Sequence, residues 1–333
     1  NHSEDGQMSF RTIQGGAAAR RGVAKLPHDR SDLLWSGGEP TALFLDSIDR
    51  WVDAMVADEH GGGTGPDRFV EASITAKAVG FLCGRPIADR LLERHFPECS
   101  ARWGPNEGGS VREGDTVVVL YGPANDILRL ERVLLNLLGR LSGIATNTSK
   151  WAAAAHPILV AATRKTEWGV LDKWAVFSGG GLTHRLDRGD ALMLKENDLT
   201  AMTEGDEGDL GAIQRVVSSI DMDEHAGFTV VEVQSVEQSV AAAAAWDSLQ
   251  NTRGGDEKLV LLLDNMGAAG AGEVQHALSK ADLRQCCILE GSGGVFLESL
   301  GDWIESGVDL VSSSALNRGV APLDMSMLIE EGE

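Results

Sequence analysis

Cysteine, lysine and long apolar runs are scarce in this chain, and each scarcity removes a class of explanation. The four cysteines, Cys83, Cys99, Cys286 and Cys287, are widely spaced or adjacent. That arrangement matches neither a zinc-ligand spacing nor a disulfide framework and leaves the reduced thiols of a cytoplasmic protein. No run approaches the roughly 20 apolar residues of a membrane helix, and the first residues lack the apolar core of a secretory signal, so a soluble intracellular protein is expected. Only eight of the 29 Lys plus Arg are lysine, against 50 Asp plus Glu, for a formal net charge of -21. Such a surface repels phosphate backbones and anionic lipid, which argues against nucleic-acid and membrane partners. Neither a G-x-G-x-x-G turn nor a P-loop is present, and no serine or cysteine nucleophile stands beside an evident base.

What is present is a chain of 333 residues, 43% hydrophobic, long enough for two domains with cores of their own. Residues 1–40 are rich in Gly, Ser, Asp and Arg without a sustained hydrophobic period and read as a flexible extension without chemistry. From Leu43 onward, Phe44, Ile48, Trp51, Val52, Met55 and Val56 recur at helical spacing, and the pattern stops before the glycine run at 61–65. A strand over 69–81, a helix over 86–94 and a strand ending near Tyr121 make a small α+β domain. The helix expected over 125–141 buries Ile127, Leu130, Leu134, Leu137, Leu138 and Leu141. It leaves Arg129, Arg132, Asn136 and Arg140 on one stripe, for which a solvated face is the ordinary explanation. Beyond Ala145, strands near 157–162, 190–194, 228–233, 258–263, 285–289 and 308–311 alternate with helical stretches, which predicts a parallel sheet with right-handed crossovers. About 170 residues fall short of the roughly 250 of a complete eight-fold barrel, so an incomplete α/β barrel fits better.

Between Ala161 and Leu199 the sign of the charge reverses. Arg164, Lys165, Lys173, Arg185, Arg188 and Lys195 crowd there, with His184 beside Arg185. Apolar runs lead directly into Arg164-Lys165 and into Lys195, which sets cations at strand ends where a rigid scaffold can aim them at a phosphate or carboxylate. Basic residues scattered over a solvated face are the alternative. Polar groups follow the other strands too: Glu232, Asp264, Glu290 with Ser292, and Ser312 to Ser314. The C-terminal rim is where barrels build active sites, so Arg164, Lys165, His184, Arg185 and Lys195 should meet three carboxylates in one mouth. Facing carboxylates suit Mg2+. The turn Gly291-Ser292-Gly293-Gly294 offers backbone amides to a phosphate, and Gly179-Gly180-Gly181 serves either close packing or a ligand's approach.

The segments TRKT, GGGLTHR and LMLKEND, with ERVLLNLLGRLSGIAT before them and VEVQSVEQ, LLLDNMG, LEGSGG and SSSALN after, occur in the order of the signature blocks of the quinolinate phosphoribosyltransferase family. The chain resembles that family, with gaps, from about Phe44 to Leu328. The resemblance implies a small N-terminal α+β sandwich domain, 41–144 with 315–333 returning to it, and an incomplete TIM-like barrel over 145–314. It implies phosphoribosyl transfer from phosphoribosyl pyrophosphate to quinolinate with loss of CO2, giving nicotinate mononucleotide and pyrophosphate in NAD biosynthesis, with Mg2+ as cofactor. It further implies a homodimer, or a higher assembly, with shared active sites. Carried residue by residue, Arg164, His184, Arg185 and Lys195 are ligands of quinolinate and phosphate. Lys165, Glu232 and Asp264 are catalytic, the two carboxylates lying around the ribose hydroxyls and Mg2+. Ser292, Gly293 and Gly294, with Ser313 and Ser314, take the 5′-phosphate, and Arg132 reaches the neighbouring subunit's site.

Departures from the family pattern are Ala162 for Asp, Trp168 for Pro, Thr183 for Asn, Glu196-Asn197-Asp198 for DNH, Ser314 for Gly, and Asn317-Arg318-Gly319 for THS. They spare the principal ligands and put the identity of the aromatic acid in question. A transferase of the same fold acting on nicotinate or another aromatic acid, and a non-catalytic binding paralogue, are the rival readings. Cations and metal-type carboxylates kept together count against the second.

Overall fold

The structure, a computed structural model, describes residues 25–59, 68–222 and 227–330. A 3-10 turn at Ser31–Leu33 and a short hairpin, β1 (Trp35–Ser36) and β2 (Glu39–Pro40), lead into α1 (Ala42–Asp58). Thr41 caps α1 by accepting the Phe44 N–H, an amide the helix itself cannot satisfy, and Phe44, Ile48 and Val52 fill its inner stripe. In β3 (Phe69–Ala76) burial alternates, as on a strand covered on one face. There follow β4 (Gly80–Phe81), α2 (Arg85–His95), β5 (Ser100–Trp103), β6 (Ser110–Val111) and β7 (Thr116–Pro123).

The next helix, α3 (Ala124–Ala155), runs well past the predicted 125–141 because its buried stripe continues through Ile144, Ala145, Thr148, Trp151 and Ala155. Gly143 lets the returning segment near Ala321 lie against it: a Cβ there would stand 2.3 Å from the Ala321 carbonyl oxygen. Thereafter strands and helices alternate: β8 (Leu159–Ala161), α4 (Val170–Ser178), β9 (Leu192–Leu194), α5 (Glu196–Ala201), α6 (Gly208–Ser218), β10 (Thr229–Val233), α7 (Val236–Arg253), β11 (Leu259–Asp264), α8 (Gly267–Lys280), β12 (Cys287–Ser292), α9 (Leu300–Glu305) and β13 (Leu310–Ser312). Last, β14 (Met325–Ile329) pairs antiparallel with β3, giving a first sheet of order β14-β3-β7-β5.

The six barrel strands are all parallel, in the order β8-β13-β12-β11-β10-β9. Its edges, β8 and β9, do not pair with each other among the described residues, so the sheet stops short of closure, as an incomplete barrel should. A single bridge, Ala161 to Leu182, reaches into the seam. The sheet curls nonetheless: Ala161, Val230, Val260, Ile288 and Leu310 share an inner cluster, whereas Val231, Val233, Leu261 and Leu289 belong to the larger outer core. Curling turns the strands' C-terminal ends toward one mouth. Among the described residues no helix is long and apolar enough to cross a membrane.

The extension expected over 1–40 needs correction from residue 25 onward; residues 1–24 lie outside the described part. Leu26 packs on the inner barrel cluster, His28 is fully buried, and Leu34 and Trp35 enter the outer core, where Trp35 stacks on Trp174 at 5.5 Å. Arg30 pairs bidentately with Asp190. The segment shows no hydrophobic period because it is irregular backbone, each side chain entering a different environment.

Candidate active site

Strand ends deliver the expected groups to one cavity of about 230 Å³. Arg164 and Lys165 follow β8, Lys195 follows β9, Glu232 lies in β10, Asp264 ends β11, and Glu290 and Ser292 close β12; His184 and Arg185 come from the loop after α4. An adjoining space of about 610 Å³ shares Arg164, Arg185 and Lys195 and adds Arg188. Not every expected residue is there. Arg132 is exposed on α3 and lines neither space, and the Ser313 hydroxyl is engaged with Val295 O and the Ala315 amide. Gly293 has φ +83, and a Cβ there would meet Asn265 Oδ1 at 2.2 Å, so only glycine lets the turn after β12 cross that close to β11. The helix expected at Phe296 begins as a 3-10 turn at Leu297–Ser299. Neither Gly293, Gly294 nor Ser314 lines the cavity.

The basic loop after β8 is held from behind. Asp172, fully buried in α4, accepts the Glu167 amide at 2.9 Å and the guanidinium of Arg140 from α3. Asn317 donates to both Asp172 and the Lys165 carbonyl. Trp168, where the resembled family has Pro, lies under the Arg140 guanidinium at 5.0 Å and tilts against Trp51. Thus α3, α4 and the C-terminal return jointly aim Arg164 and Lys165.

Charge at the mouth is uneven. Lys195 Nζ pairs with Glu232 Oε2 at 3.2 Å, but Arg164, Lys165, Arg185 and Arg188 have no ion-pair partner among the described residues. The one hydrogen bond of the Arg185 guanidinium among these residues is to Met193 Sδ. Burial, followed by the charges of Arg164 and Arg188, pushes Arg185 below the usual guanidinium range. Lys173, buried behind it and donating to Thr183 O at 2.9 Å, is brought down to about 7 by burial and then by Arg164 and Arg185. An anion would relieve all of this strain at once.

On the inner side of the cavity Glu290 accepts from His28, His184 and Ser312. Burial pushes its carboxyl up, but the neighbouring imidazoles, His184 foremost, outweigh burial and hold it below the usual carboxylate range. For His184 burial dominates and lowers it despite Glu290. The outcome is a buried carboxylate beside a His184 ring held below the ordinary imidazole range. His28, His184 and Glu290 are also the one convergent trio of metal-type ligands among the described residues. Yet His184 Nδ1 accepts the Arg185 amide at 2.7 Å, which puts its proton on Nε2 and leaves no lone pair there for an ion. Glu232 and Asp264 are different. They line the open cavity beside Ser292, with no cysteine among the lining residues, an oxygen set that fits Mg2+. Sequence patterns offered no signal for His28, Asp172 or Asn317, whose partners lie far away in the chain.

Comparison with known proteins points to one family. The profile of the quinolinate phosphoribosyl transferase C-terminal domain matches residues 144–328, and that of the N-terminal domain matches 56–142. The chain is 33% identical over 273 residues to the chloroplastic nicotinate-nucleotide pyrophosphorylase (carboxylating) of Arabidopsis thaliana, covering 79% of this chain and 75% of that protein. It is 33% identical over 269 residues to a probable nicotinate-nucleotide pyrophosphorylase (carboxylating) of Methanothermobacter thermautotrophicus, covering 78% and 88%. The solved nicotinate-nucleotide pyrophosphorylase of Francisella tularensis superposes with a TM-score of 0.72 at 25% identity, covering 86% of this chain and 97% of that one.

Proposed function

Because the chain belongs to the quinolinate phosphoribosyltransferase family, we propose that it joins quinolinate to phosphoribosyl pyrophosphate, releasing pyrophosphate and CO2 and leaving nicotinate mononucleotide. The observation that carries this reading is the set of cations without ion-pair partners among the described residues: Arg164, Lys165 and Arg185 face Glu232 and Asp264 across one cavity, and Arg188 lines the space adjoining it. Two carboxylates on an aromatic ring and a pyrophosphate need several fixed cations, and Arg offers each carboxylate a fork of donors. The ring nitrogen attacks the anomeric carbon of ribose, and the pyrophosphate leaves with the electron pair of the broken C–O bond. Glu232 and Asp264 face the ribose and favour the positive charge that grows on it, while Arg164 and Lys165 hold the departing anion. Mg2+ bound through Glu232 and Asp264 supplies further charge against the pyrophosphate. Once the ring nitrogen is quaternary it accepts the electrons of the C–CO2 bond, CO2 departs, and the ring carbon takes up a proton.

On the same reading the enzyme is a homodimer in which Arg132, exposed on α3, binds a carboxylate in the neighbouring subunit's mouth. Its four cysteines, all free, suit the reducing cytoplasm. The test is incubation with phosphoribosyl pyrophosphate, Mg2+ and either quinolinate or nicotinate, with the nucleotide and released CO2 identified. Quinolinate should give nicotinate mononucleotide with one CO2 per turnover, and EDTA should abolish it. Turnover of nicotinate alone overturns the substrate, and full activity in EDTA removes the metal.

A further inference from the structure

Glu290 is a fully buried carboxylate in the wall of the barrel, and its hydrogen-bond donors come from three distant parts of the chain. His28 Nε2 lies 2.9 Å from Oε2, His184 Nε2 lies 3.0 Å from Oε1 and 3.1 Å from Oε2, and the Ser312 hydroxyl donates to Oε1. Of these, His28 belongs to the irregular segment before α1. We propose that His28 is a positioning residue of the active site: it fixes Glu290 as the acceptor for His184 and thereby fixes the His184-Arg185 pair at the mouth. The proposal rests on the phosphoribosyl-transfer reading for its kinetic consequences, although the geometry stands without it.

Four observations converge on this role. His184 has φ +54, a left-handed backbone that a non-glycine residue keeps only where its surroundings impose it. Its ring is held at both ends, Nδ1 by the Arg185 amide and Nε2 by Glu290, so the orientation of Glu290 decides where the ring and the next residue sit. Arg185 depends on that hold, since its guanidinium has just the Met193 sulfur as hydrogen-bond partner among the described residues. The second observation is packing. The His28 ring stands edge-on to His184, 4.9 Å between centroids at 90°, with Phe228 also 4.9 Å away, so it cannot swing aside.

Third, His28 Nδ1 is buried without a partner among the described residues. An unsatisfied buried nitrogen is costly, so a residue retained with one is there for its other nitrogen. Fourth, Thr183, which stands where the resembled family has Asn, donates to the His28 carbonyl and accepts the Arg30 amide. The altered loop residue and the N-terminal segment therefore fit each other. The consequence is that this segment, by way of Glu290, supports a mouth whose residues His184 and Arg185 come from the barrel.

His28→Phe keeps the ring volume and removes the donor, whereas His28→Gln returns one N–H. With His28→Phe we expect kcat/KM for the aromatic acid to fall at least about tenfold while KM for phosphoribosyl pyrophosphate stays within about threefold. Losing one donor to a buried carboxylate should also lower the melting temperature, and His28→Gln should recover most of both losses. A merely structural role would instead weaken both substrates alike, and that result overturns the proposal. So does a folded His28→Phe enzyme with normal kinetics. Should His28→Phe not fold, nitrogen-15 imidazole spectra of the unmodified protein decide: His184 must be neutral with its proton on Nε2, and a proton on Nδ1 ends the proposal. Inactivity of the unmodified enzyme toward either acid refutes the transferase reading, while an active enzyme indifferent to His28→Phe refutes only the role of His28.

Discussion

Cations on α2 and cations at the barrel mouth live under opposite rules. Arg90 and Arg94 of α2 lie bidentate on Asp49 and Asp53 of α1, and His95 joins Asp53. At the mouth, Arg164, Lys165, Arg185 and Arg188 crowd together with no carboxylate paired to them among the described residues, although the chain has 50 acidic residues against 29 Lys plus Arg. In so acidic a molecule, pairing is the state that folding finds most readily, and a cluster left unpaired is one that stability alone does not maintain. The first set serves the fold; the second is reserved for an anion that arrives later.

Arg132 offers the largest break in that contrast, because it has no ion-pair partner among the described residues yet sits on α3, away from the mouth of its own chain. Arg132→Ala should remain folded and dimeric and lose roughly a hundredfold or more in kcat/KM, about 2.7 kcal/mol. Lys165→Ala should be inactive through the barrel, and mixing the two variants under exchange should restore activity in heterodimers with one intact site. Heterodimers without activity would return Arg132 to a solvated face. A smaller effect sharpens the contrast directly. Arg185→Ala should lower kcat/KM at least about tenfold, or 1.4 kcal/mol, with a melting temperature unchanged or higher as repulsion from Arg164 and Arg188 is relieved. Arg94→Ala should do the reverse, melting earlier with normal turnover; both changes in both variants would erase the distinction.

The smallest effect concerns Lys173, folded at about 7 against roughly 10.4 in an unfolded chain. Between those values the unfolded chain holds a proton that the folded chain has released, so this group makes stability rise with pH from about 7 toward 10 and adds no slope below. Melting curves of Lys173→Met across that window should show a flatter pH dependence than those of the unmodified protein. An unchanged slope would mean that Lys173 stays charged beside the arginines.

Residues that follow an apolar run were legible in the sequence because the run itself predicts the strand and the rim supplies the destination. Arg164, Lys195, Glu232 and Asp264 are found where β8 to β11 put them. Illegible residues share a different trait: they act across the chain from irregular or helical positions. His28 meets Glu290 and Asn317 meets Asp172 across separations of 262 and 145 residues, and no local period announces either. The helix expected over 125–141 falls short of α3 because the large apolar residues that announce it give way to Ser142, Gly143, Ala145 and Thr148, small residues of which Ser, Gly and Thr are weak helix formers, yet these continue the same buried stripe. Trp168 looked like a lost proline. In the fold it is a surface for Arg140.

The pairing of β14 with β3 has a consequence in time. The partners are about 250 residues apart, so on the ribosome β3 is made early and keeps one open edge until every strand of the barrel has been synthesised. Closure across a longer chain costs only logarithmically more; what grows is the interval during which an unpaired strand can recruit a foreign one. A chain interrupted before Met325 would carry an intact set of barrel strands and a first sheet still missing its edge, a template for pairing with a second nascent chain.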